Sequence, residues 1–269
     1  MIKNHRYHFK FLLVILFFLI LSACGGGGIT PPVDDEIPPV STSKIYNQST
    51  GVGYDTIQKA IDAAIDGQTI IVNPGTYHEN IQLKGRRITV QSSRPNNPSV
   101  VATTIIDGGK KGSVVTITGG DSSTLKGFTI RNGDAHYDGG GIYILSSNPT
   151  ITGNTITKNK ADRIGGEAIA GKGGGIYIGS SSHPVITNNI ITENISNFGG
   201  GGIYCKDSTP TITGNTITKN DNSNRGGGGI FVWECKGTFL IQDNIISENK
   251  GNKALYVIYS SPTIKGNTI

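Results

Sequence analysis

The segment RNGDAHYDGG, residues 131–140, gathers Arg131, Asp134, His136 and Asp138 within ten positions. A guanidinium, an imidazole and two carboxylates form a set able to move protons, one group taking a proton while another of different pKa returns it. Gly, Asn and Asp at this density also describe a polar surface loop with no chemistry, and that simpler reading is preferred. The other acids are scattered: Asp107, Asp121, Asp162 and Glu167, with Asp207 and Glu234 further on and no third acid beside them. His78, His136 and His183 lack the short spacing of a metal site, so no metal is expected.

A second set is aromatic. Tyr143, Tyr177, Tyr204, Phe231 and Tyr256 each follow an aliphatic residue: Ile142, Ile176, Ile203, Ile230 and Leu255. On adjacent strands in register, such side chains would form an outward stripe with steps of about 4.8 Å. Ring stacking that stabilises the sheet is the preferred reading. The functional alternative is a platform for a linear glycan, because aromatic faces pack against sugar rings.

A stripe needs repeating elements, and the sequence contains them. GGGIYILSSNPTITGNTITKN at 139–159 returns as GGGIYIGSSSHPVITNNIITEN at 173–194 and as GGGIYCKDSTPTITGNTITKN at 200–220. Intervals between the turn residues Asn154, Asn189, Asn215, Asn244 and Asn267 are 35, 26, 29 and 23 by subtraction. Fixed spacing inside the unit with variable length between units is the pattern of a solenoid with variable loops. Each unit reads as three short strands, with Ile142 and Ile144, then Ile151, then Ile156 facing inward and Tyr143 outward. The turn asparagines are expected to form a hydrogen-bonded ladder, and Asn159, Asn194, Asn220 and Asn249 a second one. Lys158, Glu193, Lys219 and Glu248 alternate in sign beside it. The glycine runs let the backbone re-enter a strand at a sharp corner. Ahead of the repeats, 54–67 predicts one amphipathic helix with Asp55 and Gln58 at capping-box spacing. It presents Ile57, Ala60, Ile61, Ala64 and Ile65 to the end of the first coil. The chain stops within the third strand of a unit, which reads as a truncated stack or one capped by a partner.

The first residues follow other rules. Lys3, Arg6 and Lys10 precede the apolar run FLLVILFFLIL at 11–21, too short to span a bilayer and laid out as a signal peptide, residues 1–23. The following Leu21-Ser22-Ala23-Cys24 resembles the bacterial lipobox, which implies that Cys24 carries lipid and anchors the protein to a membrane of the cell envelope. Gly25 after the cysteine implies the outer membrane if the cell is Gram-negative. Residues 24–44, rich in Gly, Pro and acids, read as a tether to a folded domain at 45–269. Loss of three cations with the signal lowers the formal charge from +5 to +2, so the basic balance gives no argument for a nucleic-acid partner. Cys205 and Cys235 are offset by about three residues, or ~10 Å along a strand, which predicts free thiols.

The stretch TIQKAIDAAIDGQTIIVNPGTYHENI, with TIIDGG at 104–109, LKGFTIRNG at 125–133 and the GGGIY repeats, resembles the right-handed parallel β-helix proteins of the pectin-lyase-like superfamily. The resemblance covers 54–269 and implies an all-β, right-handed parallel β-helix solenoid of seven to eight coils with an N-terminal capping α-helix. The superfamily hosts lyases, esterases, hydrolases, epimerases and non-catalytic surface proteins, so it is specific for fold and not for activity. The paired Asp motifs of pectin methylesterases, the juxtaposed carboxylates of polygalacturonases and the Ca²⁺-binding acid cluster of pectate lyases have no counterpart in the repeats. A lipid-anchored envelope protein that binds polysaccharide or another surface without catalysis is therefore the preferred expectation. A polysaccharide lyase or related enzyme is the alternative, and only that alternative brings in a cofactor, Ca²⁺.

Overall fold

The computed structural model describes residues 43–162, 171–222 and 226–269. The signal sequence, Cys24 and nearly all of the tether lie outside the described residues. Among the described residues, no helix is long and apolar enough to cross a membrane.

The repeats fold as coils of a parallel β-helix. One coil runs through the strands Ile142–Leu145, Thr150–Thr152 and Thr155–Thr157, and the next begins at Ile176–Gly179. Equivalent strands stack into sheets of seven, ten and seven strands, and the loops add a small fourth sheet of three. Register follows the repeat: Ile142 pairs with Ile176, Ile151 with Ile186, and Ile156 with Ile191. These aliphatics are fully buried and join a single core that runs down the axis. No coil can close its interior alone, so each depends on its neighbours for burial. Gly141 shows why the glycine runs recur: a Cβ there would lie 2.6 Å from Gly175 O in the next coil and 2.9 Å from Asn159 Nδ2.

Corners are built to a common plan, a left-handed residue followed by a buried polar one. Gly153, Asn188, Gly214, Asp243 and Gly266 have φ of 53–65° ahead of the first asparagine column. Lys158, Glu193, Lys219 and Glu248, at 55–57°, precede the second. Both columns are ladders. Asn154 Nδ2 donates to Asn189 Oδ1 at 3.1 Å, and the chain continues through Asn215 and Asn244 to Asn267. Asn159, Asn194, Asn220 and Asn249 are linked in the same way at 3.0 Å per step. Outside the second ladder, Lys158 lies 3.9 Å from Glu193 and Lys219 3.9 Å from Glu248; such exposed pairs contribute little to stability. The third corner has its own ladder, which the repeat pattern had not revealed. Asp121 N donates to Ser147 Oγ, Ser147 N to Ser182 Oγ, and Ser182 N to Ser208 Oγ, at 3.1–3.2 Å.

The N-terminal end departs from the sequence expectation in detail. Helix α1 spans only Ile57–Ala63, and its cap is Thr56, whose hydroxyl accepts from Lys59 N, instead of Asp55. Asp55 pairs with Lys59 on the surface. Glu79 accepts from the free N–H groups of Ile57 and Gln58 at 2.9 and 3.0 Å, satisfying donors that the helix itself cannot. Ile57, Ala60, Ile61 and Ala64 cover the end of the core, but Ile65 lies past the helix and is exposed. Strand Ile45–Asn47 adds an antiparallel edge to the ten-stranded sheet. A second helix, α2 (Pro98–Thr103), was not foreseen; Asn97 caps it and Pro98 occupies its first turn.

Candidate functional site

The outer face of the seven-stranded sheet that holds the GIY strands carries the aromatic set, with His136 and Asp138 of the 131–140 segment at one end. Pairing places Thr116, Tyr143, Tyr177, Tyr204, Phe231 and Tyr256 in one column. Tyr143, Tyr177 and Tyr204 are stacked, with centroids 5.3 and 5.7 Å apart and planes within 7°. Phe231 continues at 5.2 Å on each side with its ring tilted. The step exceeds the strand spacing because the rings lean along the strands, Tyr177 over Gly179, where a Cβ would come within 2.8 Å of the ring.

An open glycan platform over five coils is not what this column forms. Tyr177, Tyr204 and Phe231 are 9%, 0% and 3% exposed, so no sugar ring can lie on them. Phe198, from a loop, packs edge-on to Phe231 and face-on to Trp233, and Lys172 places its ammonium 5.8 Å from the Tyr204 ring. These rings therefore make a second apolar cluster, outside the solenoid. The sequence could not show this, because the covering residues come from loops whose length varies between units. Of the five aromatics in the column, only the first and last, Tyr143 and Tyr256, remain half-exposed.

At the Tyr143 end, the column opens into a cleft of about 400 Å³ lined by Ser113, Thr116, His136, Tyr137, Asp138 and Tyr143, among others. The volume lies within the range of small-molecule sites. Asp138 Oδ1 accepts from Lys172 N at 3.0 Å, and Lys172 Nζ stands 3.9 Å from Oδ2. Burial pushes the Asp138 carboxyl above its ordinary value, against the Lys172 charge and backbone N–H that pull it down. Burial, with the Asp138 charge, also raises the Tyr143 phenol. Tyr137 is 58% exposed and stands at the rim.

The four residues of the 131–140 segment are thus divided. His136 and Asp138 line the cleft. Arg131 sits on another sheet, where its Nε donates to the buried Asp107 at 2.9 Å. Asp134 belongs to the small loop sheet, paired with Lys160. The segment crosses a corner, which sends alternate groups to different faces. Asp207, exposed, and Glu234, partly exposed, are corner residues, each 3.8 Å from Lys206. Among the described residues, no three His, Cys, Asp or Glu side chains converge to hold a metal.

Cys205 and Cys235 are free and buried, yet their Sγ atoms are 3.2 Å apart, not separated by the strand offset expected from sequence. The chain turns at Glu234, φ 54°, and sends Cys235 back toward the axis.

Known proteins give the following picture. The family model described as "Right handed beta helix region" matches residues 89–269. No curated protein sequence matches the chain. Two crystal structures of the pectin methylesterase from Aspergillus niger are similar, one deglycosylated and one retaining an N-acetylglucosamine stub. The first is 13% identical with a TM-score of 0.44, over 80% of this chain and 82% of that one. The second is 12% identical with a TM-score of 0.44, over 80% and 81%.

Proposed function

Since the chain belongs to the right-handed beta-helix family, we propose that its stacked coils hold a glycan-binding cleft at the cell envelope and catalyse no reaction on the bound chain. The observation that carries this reading is the cleft at the end of the aromatic column. It combines a half-exposed ring, Tyr143, with hydroxyls from Ser113 and Thr116, the His136 imidazole and a carboxylate fixed by Lys172. A saccharide offers apolar C–H faces and a rim of hydroxyls, and this lining matches both. Among the described residues, Asp138 is the one carboxylate in the lining; its Oδ1 accepts from Lys172 N, and Lys172 Nζ stands 3.9 Å from Oδ2. Glycoside hydrolysis uses two carboxylates across the bond, and the described residues of this cleft supply one. The lipobox-like Leu21-Ser22-Ala23-Cys24 supports attachment through lipid on Cys24, with the Gly- and Pro-rich tether giving reach.

The test is affinity electrophoresis of the protein through gels containing neutral or acidic polysaccharides. Retention by at least one polymer is expected, and Tyr143→Ala should weaken it at least roughly tenfold, the scale of losing one well-placed contact. No retention by any polymer, or retention indifferent to Tyr143→Ala and His136→Ala, sinks the proposal. Release of unsaturated or reducing sugars from a retained polymer would instead establish the enzymatic alternative.

A further inference from the structure

The repeat supplies its own internal comparison, and two residues depart from it together. Down the corner ladder the slots read Ser147, Ser182, Ser208, Cys235 and Ser260. The inward column two positions after the anchor aliphatics reads Ile144, Ile178, Cys205, Val232 and Val257. Below Asp121, which heads the corner ladder and accepts from Arg86 N, the run of serines is broken once, and the inward column is broken once, each time with cysteine and in successive coils. The two exceptions touch, with Sγ atoms 3.2 Å apart and exposures of 0% and 1%.

Neither site needs sulfur on its own account. An aliphatic fills the first position in every other coil of the column. At the second, the Cys235 sulfur accepts from Ser208 N–H where serine hydroxyls accept elsewhere, and sulfur is the weaker acceptor. Two unrelated substitutions would have no reason to meet.

We infer that Cys205 and Cys235 are a disulfide-forming pair, a covalent staple between successive coils. The oxidant is a small-molecule disulfide. The Cys235 thiolate attacks one of its sulfurs, forming a mixed disulfide and expelling one small thiolate. The Cys205 thiolate then attacks Cys235 Sγ and expels the second. The protein loses two protons and two electrons, and the small disulfide becomes two thiols. The Cys205 thiol's hydrogen bond to Cys235 lowers the Cys235 pKa, while burial raises that of Cys205, so Cys235 ionises first. Cys235 N donates to Ser260 Oγ at 2.8 Å, so the following coil covers it. The small disulfide reaches it when that coil opens or before it docks.

The bond would close a long loop, the partners being 30 positions apart, and would restrict the unfolded chain accordingly. Full-length protein is refolded with oxidised glutathione, alkylated while denatured, and mapped after trypsin. The expected product joins peptides 173–206 and 226–236, about 2 Da lighter than their sum, in at least half of the protein. Reduction should lower the melting temperature by roughly 5–15 °C. Cys235→Ser, which restores the serine ladder, should melt like the reduced parent and be indifferent to reductant. Less than half of the protein linked in this way, a dominant link to Cys24 or to a second chain, or a Cys235→Ser variant that still responds to reductant, overturns the inference.

Discussion

Asn215 donates through Nδ2 to Ile186 O, Thr213 O and Asn244 Oδ1, and its own Oδ1 accepts from Asn189 N and Nδ2. It is 1% exposed, so water cannot replace any of these partners. Asn215→Ala leaves a carbonyl and an amide buried and unpaired, and urea unfolding should show a loss of about 2–4 kcal/mol. Asn215→Asp is the sharper probe, because a carboxylate can accept from Asn189 but only repels Ile186 O and Asn244 Oδ1. Its folded-state pKa will lie above the ordinary value of about 3.9. The variant should therefore keep its stability below that value and lose it as pH rises through the raised one. A flat profile from pH 3 to 7 would contradict this. Asp107 works in the opposite sense. Burial pushes its carboxyl up, but hydrogen bonds from Gly109 N, Arg131 and Asn132, with the guanidinium charge, outweigh burial and hold it below its ordinary 3.8. Its contribution is present above 3.8 and lost as pH falls through the lower folded value. Asp107→Asn should flatten the acid limb of the stability curve, and an unchanged limb would refute the assignment.

Among the elements, the GIY sheet has two apolar faces, and its outer one separates structural from accessible rings. Tyr204 stacks between Tyr177 and Phe231 with no exposure, and its hydroxyl has no hydrogen-bond partner. Tyr204→Ala should cost about 3–5 kcal/mol, as for other buried aromatics. Tyr204→Phe should cost nothing measurable or raise the melting temperature, since it removes an unsatisfied hydroxyl. A large loss for Tyr204→Phe would show that the hydroxyl is engaged. What could be read from sequence follows from this division. Strand positions, inward aliphatics and both asparagine columns were legible, because their spacing is constant within each unit. The burial of Tyr204 was not, because Phe198 and Lys172 arrive from loops of unequal length. The serine ladder was hidden among adjacent serines such as Ser146-Ser147 and Ser180-Ser181-Ser182. The meeting of Cys205 and Cys235 is not legible from an offset along a straight strand, because the chain turns at Glu234 just before Cys235. His136 and Asp138 line one cleft, but the corner within 131–140 takes Arg131 and Asp134 off their face, which the linear spacing does not show.

At the scale of the molecule, contacts run almost wholly between successive coils, so stability should behave as a sum of coil and interface terms. Excision of residues 155–189 tests this. Asn154 would then be followed by Ile190, which stands in register with Thr155, and both asparagine ladders would close over the gap: Asn154 onto Asn215, and Gly133, the present donor to Asn159, onto Asn194. The aromatic column would lose Tyr177 and bring Tyr143 against Tyr204. The shortened chain should fold with the same circular dichroism signature and unfold cooperatively, its m-value smaller by about one-seventh because one of seven GIY strands is gone. A deletion of about half that length should fail, because it ends out of phase and turns inward isoleucines toward solvent. Equal tolerance of both deletions would mean that register is not held by the ladders, and equal failure would mean that the coils are not interchangeable units. Between those outcomes, the melting temperature of the whole-coil deletion measures what one coil contributes to the stack.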